Sequence, residues 1–226
     1  MKVVCFDFDD VITRKNIAMK LLGMAGHKFR QLKLELEMLE HNRDPKKFAE
    51  LIKKFAELTK GMNIESVERI LKLMKLRKGA KETFEKIKKS GMKIVIVSIN
   101  DESLIKEFLL RNRLHEYVDH IYAAKIEVKN GILTGKITGD VLKDEKIGVL
   151  KIIEKKYTAS KKDITYVGDG LTDLPIIKRV GRGILFSPNA ITRAEVYADK
   201  ALKKMESSGR LFLVENHDLR KILEFI

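Results

Sequence analysis

Three short apolar runs, rich in β-branched residues, dominate the pattern, and each stops abruptly at polar residues. They are Val3–Phe8 (VVCFDF), broken only by Asp7, Lys93–Ser98 (KIVIVS) and Ile164–Gly168 (ITYVG). A strand with one wet face alternates apolar and polar residues, whereas a strand buried on both faces reads as a continuous run. The runs therefore point to a parallel sheet covered by helices. Weaker runs follow at Gly183–Phe186 and Leu211–Glu215. Helical patterns lie between them. Ala80–Ser90 stops at Gly91, a good C-terminal cap. Glu102–Arg113, Lys146–Lys156 and Asp173–Val180 supply the others. Strand alternating with helix implies right-handed crossovers. The expected class is α/β, with a doubly wound, Rossmann-like, mostly parallel sheet.

Two segments break that rhythm. Ile126–Thr138 (IEVKNGILTGKIT) carries Asn130-Gly131 between alternating residues, a strong hairpin signal because both tolerate positive φ. Thr13–Lys78 has almost no strand signal. Its apolar residues Leu32, Leu36 and Leu39, then Phe48, Leu51, Ile52 and Phe55, then Val67, Ile70, Leu71 and Met74 recur at helical spacing. Breaks are expected at Asn42–Pro45 and Gly61–Asn63. The reading is a small helical cap domain, residues 13–78, inserted into a sheet domain made of residues 1–12 and 79–226. With 226 residues, 44% of them hydrophobic, the chain is long enough for a substantial core.

No apolar run approaches the roughly 20 residues of a membrane helix. The stretch before Asp7 is shorter than the roughly 7–15 apolar residues of a secretory signal. A soluble, cytoplasmic protein without membrane association is expected. The single cysteine, Cys5, excludes an internal disulfide and reads as a small core hydrophobe. The charge is +14, from 46 basic and 32 acidic residues, and residues 14–78 hold 17 basic against eight acidic ones. A nucleic-acid partner would use such an excess. Aromatics are only 7%, however, and no recognition motif accompanies the charge. A solvated helical face and attraction of a small anionic substrate are the favoured reading. Abundant Lys and Glu with no Trp resembles the composition of proteins from heat-loving organisms. Nothing in the pattern specifies an oligomer.

Parallel strands bring their carboxyl ends to one edge, where ligands bind. The first strand delivers Asp7, Asp9 and Asp10 there. The second delivers Ser98, then Ile99, Asn100 and Asp101. The third delivers Gly168 through Asp173 (GDGLTD), and Lys146 opens the helix before it. A lone Asp-x-Asp or Gly-Asp-Gly is ordinary loop chemistry, a lone Ser is commonly a helix cap, and one Lys among many is a surface residue. Their joint arrival at the ends of buried strands is what carries information. Four carboxylates together call for a cation, and hard oxygen donors select Mg²⁺. The glycines around Asp169 are expected to let the backbone turn sharply near the metal. Metal, hydroxyl and lysine suit phosphoryl chemistry. One carboxylate can attack phosphorus, and another two residues on can protonate the leaving oxygen.

These motifs resemble those of the haloacid dehalogenase-like hydrolases. "FDFDDVIT" is similar to their first motif, with Val11 in its last place. "IVIVS" ending at Ser98 resembles the second, Lys146 the third and "VGDGLTD" the fourth. The helical insertion lies where that superfamily places a cap. "GILTGKITGDVLKDEK" and "DLRKIL" further resemble its phosphoserine phosphatase branch over nearly the whole chain. The resemblance implies a Mg²⁺-dependent phosphatase of a small phosphorylated metabolite. It makes Asp7 the nucleophile and Asp9 the general acid/base. Asp7, Asp9 (through its carbonyl), Asp169 and Asp173 would form the metal site. Ser98, Asn100, Lys146 and Thr172 would surround the phosphate. Asp10 reads as turn support, its carboxylate accepting backbone hydrogen bonds there.

The chain departs from the phosphoserine pattern where the substrate's serine part would be read. Ile99 stands where a glycine is usual, Thr172 where Asn is usual, Asn16 in place of a cap Glu, and Lys54 near a cap Arg. A point charge then replaces a bidentate fork. Other small phosphate esters, such as sugar or nucleotide monophosphates, and phosphate transfer instead of hydrolysis remain alternatives. A dehalogenase does not fit, because Asp9 and Asp169 belong to the metal-dependent pattern. The alternative outside enzymes is a basic nucleic-acid- or partner-binding protein on the same fold.

Overall fold

The first apolar run forms the middle of the sheet. The computed structural model describes residues 1–15, 45–143 and 146–226, with the isolated positions 20, 23, 26, 33 and 37. Along the chain run β1 (Val3–Phe6), α1 (Pro45–Glu57), α2 (Ile64–Leu73), α3 (Ala80–Lys89), β2 (Lys93–Asp101) and α4 (Glu102–Arg111). Then come β3 (His120–Lys129), β4 (Ile132–Thr138), α5 (Ile147–Tyr157), β5 (Ile164–Gly168) and α6 (Leu174–Ile177). The last are β6 (Arg182–Phe186), α7 (Ala190–Ala198), α8 (Lys200–Ser207) and β7 (Leu211–Val214). Turns of 3₁₀ helix cover Leu171–Asp173 and Leu219–Phe225, among others. No helix among the described residues is long and apolar enough to cross a membrane.

The seven strands lie in the order β4-β3-β2-β1-β5-β6-β7, parallel except for β4. The order reverses at β1, so the crevice at its carboxyl end is the topological switch point where α/β sheets bind ligands. Register sets the level of the chemistry: Phe6 is opposite both Ile96 and Val167. Side chains alternate across β1. Val4 and Phe6 enter one apolar layer with Phe84 of α3 and Phe108 of α4. Val3 and Cys5 enter the other, with Val149 and Ile153 of α5 and Ile176 of α6. Cys5 is a buried thiol in that layer, as its strand position predicts.

Strand boundaries differ modestly from expectation. β1 stops at Phe6, two residues early, because Phe8 leaves the ladder to pack edge-on against Phe108, ring centroids 5.3 Å apart. The expected helix from Asp173 is a 3₁₀ turn followed by the short α6. The hairpin is present, with Asn130 at φ 51° and Gly131 at φ 75°. Its first strand begins earlier than the pattern indicated. Residues from His120 pair in parallel with β2, so β3 serves both the main sheet and the hairpin.

Residues 32, 36, 39 and 16 of the helical insertion lie outside the described residues. What is described joins the sheet at two places. Thr13 bridges Leu76, and the Arg77 amide donates to the Ile12 carbonyl at 2.8 Å, so entry and exit segments run side by side. The turn between α1 and α2 is bonded to the hairpin tip, Ile64 N–H to the Gly131 carbonyl at 2.8 Å and Leu133 N–H to the Met62 carbonyl at 2.9 Å. Asn63 caps α2 by accepting from the Glu65 amide. Val67, Ile70 and Leu71 of α2 are buried in the layer that holds Phe8. Each contributes about 1.5–3 kcal/mol relative to an exposed side chain, enough to fasten α2 to the sheet.

Candidate active site

Asp7 is the first residue past β1. Its N–H still bonds the Val167 carbonyl of β5 at 2.8 Å, so its backbone is as fixed as the strand. The Phe8 amide donates to Asp7 Oδ1 at 2.8 Å, leaving Oδ2 to face Lys146 Nζ at 3.1 Å. Lys146 adopts φ 68° at the start of α5, which turns its side chain into the interior, where it is fully buried. A buried ammonium needs partners on every proton. Lys146 donates to Asp173 Oδ1 at 2.7 Å and to the Tyr166 hydroxyl at 3.2 Å, besides Asp7. Burial works against its charge, but Asp173 and Asp7 more than offset that and hold its pKa above the ordinary lysine value.

Asp173 organises the third strand's end. Its Oδ2 accepts from the amides of Asp169 at 3.0 Å and Gly170 at 3.1 Å, while Oδ1 takes Lys146 and the Tyr166 hydroxyl at 2.9 Å. The glycines of the GDG turn act differently from expectation. Gly170 has φ −127°, ordinary extended backbone. Gly168 matters for space, since a Cβ there would stand 2.3 Å from Asp173 Cγ.

The second strand's end is irregular. The register of β2 against β3 shifts between Ser98 and Asp101, leaving Ile99 and Asn100 outside regular pairing. Asp101 anchors this bulge: it caps α4 through the amides of Ser103 and Leu104 and accepts from Ile126 N–H at 2.8 Å. Asn100 then reaches back across the crevice, Nδ2 to Asp9 Oδ2 at 3.2 Å, and its own amide faces Ser98 Oγ at 3.2 Å. Ser98 thus lies beside Asn100, and Asp101, not Ser98, caps the helix.

Asp10 supports the turn by its backbone, where its carboxylate was expected to do so. It adopts φ 55°, and Ile12 N–H closes the turn onto the Phe8 carbonyl at 2.9 Å. Its carbonyl accepts from Arg77 Nη2, whose guanidinium also lies 3.9 Å from Asp10 Oδ1. Arg77 and Tyr166 were not evident as site residues in the sequence. Tyr166 is hidden in an apolar run, and its one signal is a phenol that, once buried, needs partners.

Asp7, Asp169 and Asp173 offer carboxylate oxygens within 4.8 Å of one another. Burial raises the Asp7 pKa to about 6, with Lys146 lowering and Asp173 raising it. Burial, then Asp173, Asp7 and Asp10, push Asp169 well above the usual carboxylate range. Such repulsion among oxygen donors is what a bound cation relieves, so the donor set fits a hard metal ion. Asp9 is outside that carboxylate group and faces Asn100 instead. Thr172 lies on the 3₁₀ turn, half-buried. Lys54 is 61% exposed and pairs with Glu37 at 3.6 Å, with no contact to the carboxylate group among the described residues. Asn16 lies outside the described residues.

Known proteins resemble this chain in sequence and fold. The phosphoserine phosphatase of Methanocaldococcus jannaschii is 28% identical over 226 residues, covering 100% of this chain and 97% of that protein. That of Archaeoglobus fulgidus is 30% identical over 209 residues, 92% of this chain and 58% of that longer protein. A substrate-bound phosphoserine phosphatase complex superposes with a TM-score of 0.80 at 27% identity, covering 100% of this chain and 98% of the other. A phospho-aspartyl intermediate analogue of phosphoserine phosphatase gives the same TM-score at 28% identity and the same coverage. The model of the haloacid dehalogenase-like hydrolases matches residues 4–178, and the chain belongs to that family.

Proposed function

We propose that the chain is a Mg²⁺-dependent phosphomonoesterase acting on a small phosphorylated metabolite, with phosphoserine the first candidate substrate. The observation that carries this is the Asp7 carboxylate, fixed by the Phe8 amide and 3.1 Å from a buried Lys146 ammonium. A nucleophile must be held and its charge offset without being quenched. Asp7 Oδ attacks phosphorus, and the ester oxygen leaves with a proton from Asp9. The product on the protein is an aspartyl phosphate. Asp9, now a carboxylate, takes a proton from water as that water attacks phosphorus, releasing phosphate and restoring Asp7. Asn100, 3.2 Å from Asp9 Oδ2, orients that carboxyl group. Lys146 offsets negative charge on Asp7 and the phosphoryl oxygens. Ser98, Asn100 and Thr172 are the groups assigned to the remaining phosphoryl oxygens. When bound by Asp7, the Asp9 carbonyl and Asp169, with Asp173 behind, Mg²⁺ supplies charge that offsets the repulsion between Asp7 and the phosphoryl group.

Residues 13–78 are assigned as the cap and residues 1–12 and 79–226 as the sheet domain. The phosphoserine phosphatases among its relatives support that substrate. Ile99 and the Lys54–Glu37 pair support a pocket that differs from theirs around the serine part. Phosphate release from phosphoserine, sugar phosphates, nucleotide monophosphates and p-nitrophenyl phosphate, with and without Mg²⁺, tests the proposal. Mg²⁺-dependent turnover that disappears in a folded Asp7→Asn variant is expected. Full activity in Asp7→Asn, or no hydrolysis of any ester, would overturn it.

A further inference from the structure

Arg77 is the buried cation that the chemistry above does not use. Its side chain is only 8% exposed, yet it is poorly paired for so buried a charge. Nε has no hydrogen-bond partner among the described residues, and the nearest carboxylate oxygen, Asp10 Oδ1, is 3.9 Å away. An interior guanidinium is costly unless fully bonded, so its one strong bond is informative. Nη2 donates to the backbone carbonyl of Asp10. Asp10 is a non-glycine residue at φ 55°, a left-handed conformation that costs most side chains energy and that Asp tolerates better than most, so a contact that holds it there fixes the turn. The guanidinium carbon also sits over the Phe186 ring at the end of β6, 5.4 Å from its centre. The Arg77 backbone belongs to the exit segment of the insertion and is bonded to Ile12.

We infer that Arg77 is a positioning residue: by clamping the Asp10 carbonyl it enforces the left-handed turn that sets Asp9 against the leaving group. This rests on the reading of Asp9 as proton donor. Asp9 is the residue immediately before the enforced turn, and Asn100 Nδ2 meets its Oδ2 at 3.2 Å. Without the clamp, Asp10 relaxes toward ordinary backbone angles and carries the Asp9 carboxyl with it. Asp7 is insulated, because it is fixed to β5 and Lys146. The clamp therefore affects proton delivery to the ester oxygen as its bond to phosphorus breaks, and leaves nucleophilic attack intact.

Leaving groups separate these effects. An alkyl phosphate such as phosphoserine needs a proton on its departing oxygen, whereas p-nitrophenolate leaves without one. Arg77→Met, which keeps an apolar stem against Phe186, should lower kcat/KM about 10–100-fold for the alkyl ester the wild type hydrolyses, and less than about 3-fold for p-nitrophenyl phosphate. Asp9→Asn should show the same selectivity more strongly. Arg77→Lys, able to offer one donor to the carbonyl, should recover part of the alkyl activity. Circular dichroism and the thermal midpoint establish folding, and if Arg77→Met is unfolded the Lys variant carries the test, with a smaller shift in the same direction. A wild type that hydrolyses neither ester defeats the phosphatase reading itself. An active wild type whose folded Arg77 variants lose both activities equally, or neither, overturns this inference alone.

Discussion

The side chain of Asp173 occupies the place where a Cβ on Gly168 would be, with Cγ 2.3 Å from that position. The strand ends in glycine so that a carboxylate five residues later can fold back over it and meet Lys146. Gly168→Ala therefore cannot be accommodated without moving Asp173. Overpacking of this kind costs about 1–3 kcal/mol. The displaced carboxylate would also release Lys146, the Tyr166 hydroxyl and two turn amides. A lower thermal midpoint together with at least about a 10-fold loss of kcat is expected. A folded Gly168→Ala variant with wild-type turnover would show that the Asp173 contacts are dispensable.

Lys146 is the charge that makes this carboxylate cluster tolerable. Lys146→Met keeps the volume and removes the ammonium from Asp7 and Asp173. Removing one partner of a buried ion pair costs about 3–5 kcal/mol. The penalty falls on ionised carboxylates, so it should be largest near pH 7 and shrink as pH approaches 4, where protons replace the lost charge. Chemical denaturation of both proteins across that range measures the difference. A penalty independent of pH would point to lost packing in place of lost charge.

The metal reading has its own proton linkage. Without metal, the Asp7 pKa of about 6 exceeds its unfolded value of 3.8. The folded chain then binds more protons between those values, and this group's contribution to stability falls as pH rises from about 4 to about 6. A divalent cation competes with that proton, so it should bind more tightly above pH 6. At ten times its dissociation constant a ligand adds about 1.4 kcal/mol. Mg²⁺ should raise the thermal midpoint at pH 7 and do so less at pH 5, with EDTA reversing the gain. An equal or absent shift at both pH values would count against a cation at Asp7, Asp169 and Asp173.

Much of this was legible in the sequence, because burial on both faces writes itself as uninterrupted apolar runs. Asp7, Asp9, Ser98 and Asp169 could be placed at the carboxyl edge from that pattern alone. The first half of β3 was not legible: His120 to Ala124 mixes polar and small residues. Arg77 was one of 17 basic residues in a helical insertion, and only the fold shows that it is buried. Gly168 was readable as a turn residue, but its use as empty space for Asp173 depends on a side chain placed by tertiary contacts. Lys54 shows the converse. Its position in the sequence marked it as a substrate contact, while its ammonium pairs with Glu37.

At the opposite edge of the sheet, Asp119 ties α3, β2 and the loop before β3 together. It accepts from Lys88 Nζ at 2.7 Å, Lys93 Nζ at 2.9 Å and the Ile94 amide at 2.9 Å. Burial acts to raise its pKa, but the Lys88 bond, the Ile94 amide and Lys93 prevail and hold it below the ordinary value. A depressed carboxylate contributes stability above its unfolded pKa, and that contribution is lost as pH falls through the folded pKa. Hydrogen bonds to a charged group contribute about 1.5–3 kcal/mol when shielded, and the partly exposed lysines place Asp119 near the lower end. Asp119→Asn should lower the thermal midpoint at pH 7 by about 3–6 °C and leave kcat/KM unchanged, since the substitution is remote from the crevice. The gap from wild type should close as pH falls through that depressed pKa, when the wild-type carboxylate is also protonated. Midpoints measured at both pH values decide it: an undiminished gap at low pH would mean the charge of Asp119 contributes nothing.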